Sequence, residues 1–348
     1  QDIVEQQLIL ADYAKAAKGY ILYRQERAKL RKIRKEIPEN VKKLAEKSKK
    51  YFKNPLGEFI YYRSYSRWMD SENRRETWIE TVGRYMDFMK ENIGNKLDKK
   101  EYAEFKKAIL NQEVMPSMRL MWSAGSAARA TNVSAYNCSF IAPSTFQDFA
   151  EIMLISMSGT GVGYSVESKN IQSLPMIKPQ TGQVVDFVIE DSREGGADSL
   201  AFGMKSWFEG FDVTFDFSKL RPEGARLKTM GGRSSGPAPL RGILNFTREK
   251  ILTRQGRRLT NLDAHDIICK IGEGVVSGGV RRTALISLSD LDDEAVRDCK
   301  KGQFYLTDPH RSLANNSAVY NEKPTNLKFL EEWLALIQSG SGERGIFN

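Results

Sequence analysis

Apolar positions in the first third of the chain recur at intervals of three and four residues, the period of a helix with one buried face. "IVEQQLILADYAKAAKGYILYRQERAKLRKIR" predicts a helix over about 1–36. Pro38 interrupts it, because proline lacks the N–H and crowds the preceding turn, and a second, lysine-rich helix follows to about residue 53. "NPLG", residues 54–57, reads as a turn and a boundary. "RRETWIETVGRYMDFMKENI" and "DKKEYAEFKKAILNQEVM" predict two more amphipathic helices, so the front end is helical to about residue 115.

From Pro116 the pattern changes. Strand-like runs ("NCSFIA", "GVGYSVE", "FDVTFDF", "ARLKTM", "RRTALISL", "SAVY") alternate with helical ones ("TFQDFAEIMLISM", "GADSLAFGMKSWFE", "LDAHDIICKIGEGVV"). Such alternation predicts an α/β domain with substantial parallel pairing. The expected division is 1–54, 55–115 and 116–348. The chain opens on Gln1 and stops on "GERGIFN", which suggests a piece of a longer protein.

Charge alters this picture only locally. The formal net charge is +9, yet residues 15–53 hold fifteen Lys or Arg against four Glu, so the remainder is slightly acidic. A lysine-rich helix is usually a solvated face. The base-stacking aromatics of a single-strand binder are not interleaved with these basic residues, and nucleic acid is not an expected partner. No apolar run reaches the length of a membrane span. Three well-separated cysteines and two histidines argue against a disulfide framework or a zinc site and suit the reducing cytoplasm. No metal is expected.

The candidate chemistry lies in glycine-rich and polar runs beside the strands. "SGTGVGYS" carries Gly159, Gly161 and Gly163, but here a helix precedes and a strand follows, the reverse of a dinucleotide fingerprint. Three glycines in five residues suit either a tight turn or a loop that a ligand approaches closely. Cys138 stands between Asn137 and Ser139 in a strand. A strand cysteine is often a small buried hydrophobe, the reading that suits Cys269 and Cys299. Cys138 differs in its nearness to polar loops, where α/β domains build sites. "KTMGGRSSGPAPL", "VVSGGVRRTALISL" and "RSLANNSAVY" add backbone N–H groups and arginines suited to phosphate or base contacts.

In order along the chain, "MPSMRLMWSAG", "YNCSF", "SGTGVGYSVE", "RPEGARLKTMGGRSSGP", "HDIICKIGEGVVSGGVRRTALISLSDL", "ANNSAVY" and "SGERGIFN" closely resemble the adenosylcobalamin-dependent (class II) ribonucleotide reductases, particularly the ribonucleoside-triphosphate reductase type. The resemblance runs from about residue 55 to the end. The front helices look like the tail of an ATP-cone and its linker. It implies an α/β fold in which a helical N-terminal region precedes the first half of a ten-stranded barrel. It implies adenosylcobalamin as cofactor, ribonucleotide substrates, deoxynucleoside triphosphate or ATP effectors, and a thioredoxin-like reductant. Cys138 matches one of the family's pair of reducing cysteines. Pro116, Ser117, Asn137 and Ser139 match substrate-lining segments, and Gly159, Gly161 and Gly163 match the loop on which the nucleotide lies. Glu167, Ser168, Lys169 and Asn170 match the specificity-effector region; Gly279, Val280, Arg281 and Arg282 match the loop that relays effector identity.

The family's N-x-C-x-E run around its thiyl cysteine is absent from these 348 residues, and Gly196 stands where many relatives carry Trp. The thiyl cysteine, the second reducing cysteine and most of the cobalamin surface are therefore expected in a C-terminal half, without which this chain is inactive. The alternatives are a regulatory nucleotide-binding half without catalysis, or a nucleic-acid binder working through helices 15–53.

Overall fold

The computed structural model describes residues 7, 10–11, 13–33, 39–227, 232–277, 280–281 and 284–348. Six helices open it: α1 (Ala14–Ile33), α2 (Glu39–Lys49), α3 (Pro55–Ser64), α4 (Trp78–Ile93), α5 (Lys99–Leu110) and α6 (Met118–Ser123). The turn expected at 54–57 is instead the start of α3. Asn54 caps it, its side-chain oxygen accepting the Gly57 N–H at 2.8 Å. Pro55 follows at the first helical position, where a missing N–H costs nothing. Trp78, Tyr61, Val82, Met86, Ile109 and Met121 form the core of this front end, with Tyr51 and Phe52 packed against it. Arg84 pairs with Glu76 at 2.7 Å and donates to the Met121 and Ala124 carbonyls, tying α4 to the segment after Pro116.

Beyond it come β1 (Cys138–Ile141), α7 (Phe146–Met157), β2 (Gly161–Ser165), β3 (Val184–Val188), α8 (Arg193–Glu209) and β4 (Asp212–Asp216). Then follow α9 (Ala238–Leu252), α10 (Asn261–Gly274), β5 (Leu285–Asp290), β6 (Ala314–Val319), α11 (Asn326–Ser339) and β7 (Gly345–Phe347). Five strands form one all-parallel sheet in the order β7-β6-β5-β2-β1, while β3 and β4 pair in parallel on their own. The α/β character with parallel pairing is as expected. α9, hidden in the sequence by its Pro-Ala-Pro start, was not.

Two strand expectations need correction. Around 225–230 the described residues make only an isolated bridge, Arg226 with Arg233, and 228–230 lie outside the described residues. The run 281–288 is not one strand either. Val280–Arg281 pairs back on Val276–Ser277 as a short antiparallel ladder, and β5 starts afresh at Leu285.

One face of the sheet packs on α7 to α10. Phe149, Ile152, Val162, Tyr164, Ile267 and Leu285 meet there in the main core. The opposite face, with Cys138, Phe140 and Ile286, is exposed. Parallel sheets are ordinarily covered on both faces. α11 repeats this one-sidedness. Its buried residue is Glu332, paired with Arg344 at 3.1 Å, while Leu327, Leu330, Leu334 and Ile337 point outward.

Candidate active site

Cys138 begins β1, an edge strand, and is the exposed member of the three free cysteines. Its register partner is Gly161, the first residue of β2. The Gly161 N–H donates to the Asn137 carbonyl at 2.9 Å, and the Ser139 hydroxyl donates to the Gly161 carbonyl at 3.1 Å. Behind this junction Thr160, fully buried, turns its hydroxyl to the carbonyls of Val133 and Tyr136 at 3.1 and 3.0 Å. Sequence reasoning passed over Thr160; its signal was a polar β-branched residue between two glycines.

The three glycines play different parts. Gly159 ends the helix-to-strand turn with φ +86°, in the left-handed region where side chains are strained. Gly161 and Gly163 lie within β2 rather than in a loop. A Cβ on either would press on neighbours, 3.4 Å from the Ala284 carbonyl oxygen and 3.3 Å from the Phe140 ring respectively. Their bareness keeps the backbone of β2 open beside Cys138. Ser117 caps α6, accepting the Leu120 N–H at 3.4 Å, and follows Pro116 at the entry to that helix. Arg119, one residue into α6, reaches the Asn137 side chain at 3.3 Å. Pro116, Ser117, Asn137, Cys138, Ser139, Gly159 and Gly161 therefore gather around one end of the sheet.

The expected effector residues do not gather together. Ser168 and Asn170 lie past the far end of β2, where Ser168 N–H meets Asp290 at 2.6 Å and the Asn170 amide meets Ser165 at 2.9 Å. Glu167 is buried and pairs with Lys169 at 3.0 Å. At about 3.3 Å per residue, the length of β2 separates them from Cys138. The loop before β5 belongs to the other end, since Ala284 accepts the Val162 N–H at 2.9 Å. Val280 and Arg281 lie in the short ladder ahead of it; Gly279 and Arg282 lie outside the described residues.

Next to the Cys138 end, a cavity of about 880 Å³ opens between α7, α8, α9 and residues 220–227 and 233–236. Met153, Met157, Leu240 and Ile243 supply an apolar wall; Arg193, Arg221 and Arg233 supply guanidinium groups. Arg221 pairs with Asp191 at 2.9 Å, and Arg193 donates to Ser158 at 2.8 Å, one residue before Gly159. Gly196 lies on this wall, and a Cβ there would stand 3.7 Å from the Met153 methyl. Size, apolar wall and fixed cations suit a nucleotide-sized anion.

The remaining candidate chemistry is buried beneath the sheet. Tyr164 and Ser287 bond His265 at 2.9 and 3.0 Å, and Cys269 lies 3.5 Å from the Tyr164 hydroxyl. Burial pushes the His265 pKa down to about 3 and the Cys269 thiol up to about 12. Burial likewise raises Cys299, to about 11. Burial keeps the two thiols protonated and the imidazole neutral at pH 7. Asp266, Asp308 and His310 approach within metal-ligand range of one another. Burial opposes the Asp266 charge, but Arg311, His310 and Lys250 together hold its carboxyl well below the usual range. Two fixed cations already occupy its oxygens, so the cluster is an ion-pair network and not a metal centre.

Most of the surface for adenosylcobalamin is expected outside this chain, and both histidines of the chain are buried on the helical side. The guanidinium-lined cavity suits phosphates rather than a ring fringed with uncharged amides.

Comparison with known proteins gives the chain its relatives. Residues 38–126 match the ribonucleotide reductase alpha domain. The adenosylcobalamin-dependent ribonucleoside-triphosphate reductase of Euglena gracilis is 31% identical over 291 residues, covering 77% of this chain and 39% of that protein. The enzyme of the same name from Lactobacillus leichmannii is 29% identical over 332 residues, covering 76% and 45%. A crystal structure of a B12-dependent (class II) ribonucleotide reductase superposes with a TM-score of 0.66 at 25% identity, covering 80% of this chain and 48% of that one. The chain spans less than half the length of these relatives. In sequence and in fold, then, it is similar to the adenosylcobalamin-dependent, class II ribonucleotide reductases.

Proposed function

We propose that this chain is the substrate- and effector-binding part of a ribonucleotide reductase that converts ribonucleoside triphosphates to 2′-deoxyribonucleotides. The observation that carries the reading is the exposed thiol of Cys138 at the sheet end where β2 is bare glycine. Reduction at the 2′ carbon breaks the C–O bond and releases water, while two thiols lose their hydrogens and join as a disulfide. Cys138 is one of those thiols. A disulfide partner must bring its Cα within about 4.4–6.8 Å, so the thiol has to lie on an accessible face. The second thiol comes from the half of the reductase that this chain does not contain, and a thioredoxin-like dithiol then restores the pair.

Adenosylcobalamin, when bound, supplies the radical that starts the reaction through a cysteine; with no N-x-C-x-E run here, that cysteine also belongs to the other half. This chain's residues bind and orient. Gly161 and Gly163 let the ribose approach the backbone, and Pro116, Ser117, Asn137 and Ser139 border it. The other half completes a ten-stranded barrel by pairing five further strands with the free edges of the sheet, β1 and β7. The cavity beside Gly196 takes a nucleoside triphosphate, while Glu167, Ser168, Lys169 and Asn170 at the far end of β2 serve the specificity effector and residues 279–282 relay its identity.

The test is deoxyribonucleotide formation by the intact protein with adenosylcobalamin, a ribonucleoside triphosphate and a dithiol. The chain of 348 residues alone is expected to give none. Turnover by it alone, or turnover surviving Cys138→Ser in the intact protein, overturns the reading. Arg233→Ala is expected to weaken nucleotide binding in an equilibrium titration, because it removes a guanidinium from the cavity wall. The regulatory reading without catalysis predicts nucleotide binding in that titration and no reduction under any condition.

A further inference from the structure

The environment of Cys138 contains a relay that its role as a thiol does not require. The Arg119 Nε donates to the Asn137 Oδ1 at 3.3 Å, and the Asn137 Nδ2 lies 3.6 Å from the Cys138 sulfur. Guanidinium carries only donors, so it can accept no bond from the amide nitrogen. It therefore selects the amide orientation in which oxygen faces Arg119 and the NH₂ faces the sulfur. The Asn137 main chain is held independently, its carbonyl accepting the Gly161 N–H at 2.9 Å. The remaining freedom is the side-chain rotation that Arg119 settles.

Gly159 belongs to the same device. A Cβ at that position would stand 2.7 Å from the Arg119 Nη1, closer than any real contact. The turn thus needs glycine twice over, for its φ of +86° and for the room it leaves the guanidinium.

We propose that Arg119 is a positioning residue for the Cys138 thiol, acting through the Asn137 amide, and that Gly159 is glycine to admit it. The inference rests on the reading of Cys138 as a reducing thiol. A donor aimed at sulfur stabilises the thiolate more than the thiol, and the thiolate is the form that attacks and re-forms disulfides. Other groups face the thiol end as well. Tyr136 precedes it in the chain, and Arg193 reaches the 158–160 turn, where it is engaged by Ser158 and, at 3.7 Å, by Glu194. The side chains of Arg281 and Arg282, ahead of β5, lie outside the described residues.

The test is the pH profile of Cys138 alkylation by iodoacetamide in the intact protein, read by mass spectrometry on the peptide that carries it. Arg119→Ala and Asn137→Ala are each expected to slow alkylation at pH 7 roughly threefold or more. Gly159→Ala is expected to reproduce Arg119→Ala, because the methyl displaces the guanidinium. Arg119→Lys keeps the charge but not the planar donor, and an intermediate profile is expected. Profiles that coincide with the unaltered protein in Arg119→Ala and Asn137→Ala overturn the proposal. So does an Asn137→Ala profile that is unmoved while Arg119→Ala shifts, since the charge then acts directly. Continued protection of buried Cys269 and Cys299 certifies the fold; if Arg119→Ala exposes them, Arg119→Gln and Arg119→Lys are read by the same criteria. The alkylation profile does not depend on nucleotide turnover, so a failed reductase assay and a failed relay are separate results.

Discussion

The two faces of the five-stranded sheet are made from alternate residues of the same strands, yet they hold opposite chemistry. On β5, Leu285 is 3% exposed and its neighbour Ile286 is 48% exposed. The helical face buries a polar cluster, Tyr164, His265, Cys269 and Ser287, whose hydrogen bonds are made internally and whose cysteine is held as a neutral thiol. The open face carries Cys138, two bare glycines and uncovered apolar side chains. Burial, not residue type, separates an inert sulfur from an available one.

The sharpest way to break this contrast is to exchange the sulfurs. Cys138→Ser in the intact protein is expected to reduce turnover to background, because one thiol cannot close a disulfide, whereas Cys269→Ala is expected to leave the rate unchanged per folded molecule. A product assay on both decides it. Next comes the pair on β5. Leu285→Ala should cost about 2–5 kcal/mol of unfolding free energy in urea, and Ile286→Ala less than about 1 kcal/mol. Equal losses would mean that the open face is already covered.

A smaller effect comes from His265. Its pKa in the fold, about 3, lies below the ordinary value of 6.5 because burial disfavours the imidazolium. The unfolded chain therefore binds the extra proton first. Its contribution is complete above about pH 6.5 and is lost as pH falls toward 3, at up to roughly 1 kcal/mol per pH unit. Urea midpoints between pH 4.5 and 7.5 should show this slope, and His265→Gln should flatten it. Smallest of all, Phe140→Ser on the open face should change stability by less than about 0.5 kcal/mol. A larger loss in the intact protein than in this chain would locate the covering half on that face.

Much of the fold was legible in the sequence. The switch at Pro116 from helical period to alternating elements and the parallel pairing both followed from pattern. The failures have physical causes. Asn54-Pro55 looks the same whether it closes a turn or caps a helix, because both uses exploit an extended asparagine and a proline with fixed φ. α9 was hidden by the same ambiguity, at Pro237 and Pro239. The β3 strand, Val184–Val188, is apolar at four of its five positions although its burial alternates, so the sequence shows no apolar-polar alternation to mark it. Distances across the site were not legible at all. Residues 167–170 and Val280–Arg281 both stand near strands, but only the sheet register shows that β2 lies between them.

That register also sets a timetable. Val162 pairs with Leu285, about 120 residues later, while β1 and β2 join across a single helix. On a ribosome adding roughly 5–20 residues each second, β2 waits on the order of 6–25 s for its second neighbour to be made. During that interval its free edge is open to any passing strand. Gly161 and Gly163 make it a poor template for such pairing. The residues that leave the site bare in the finished protein also keep the nascent strand from committing too early.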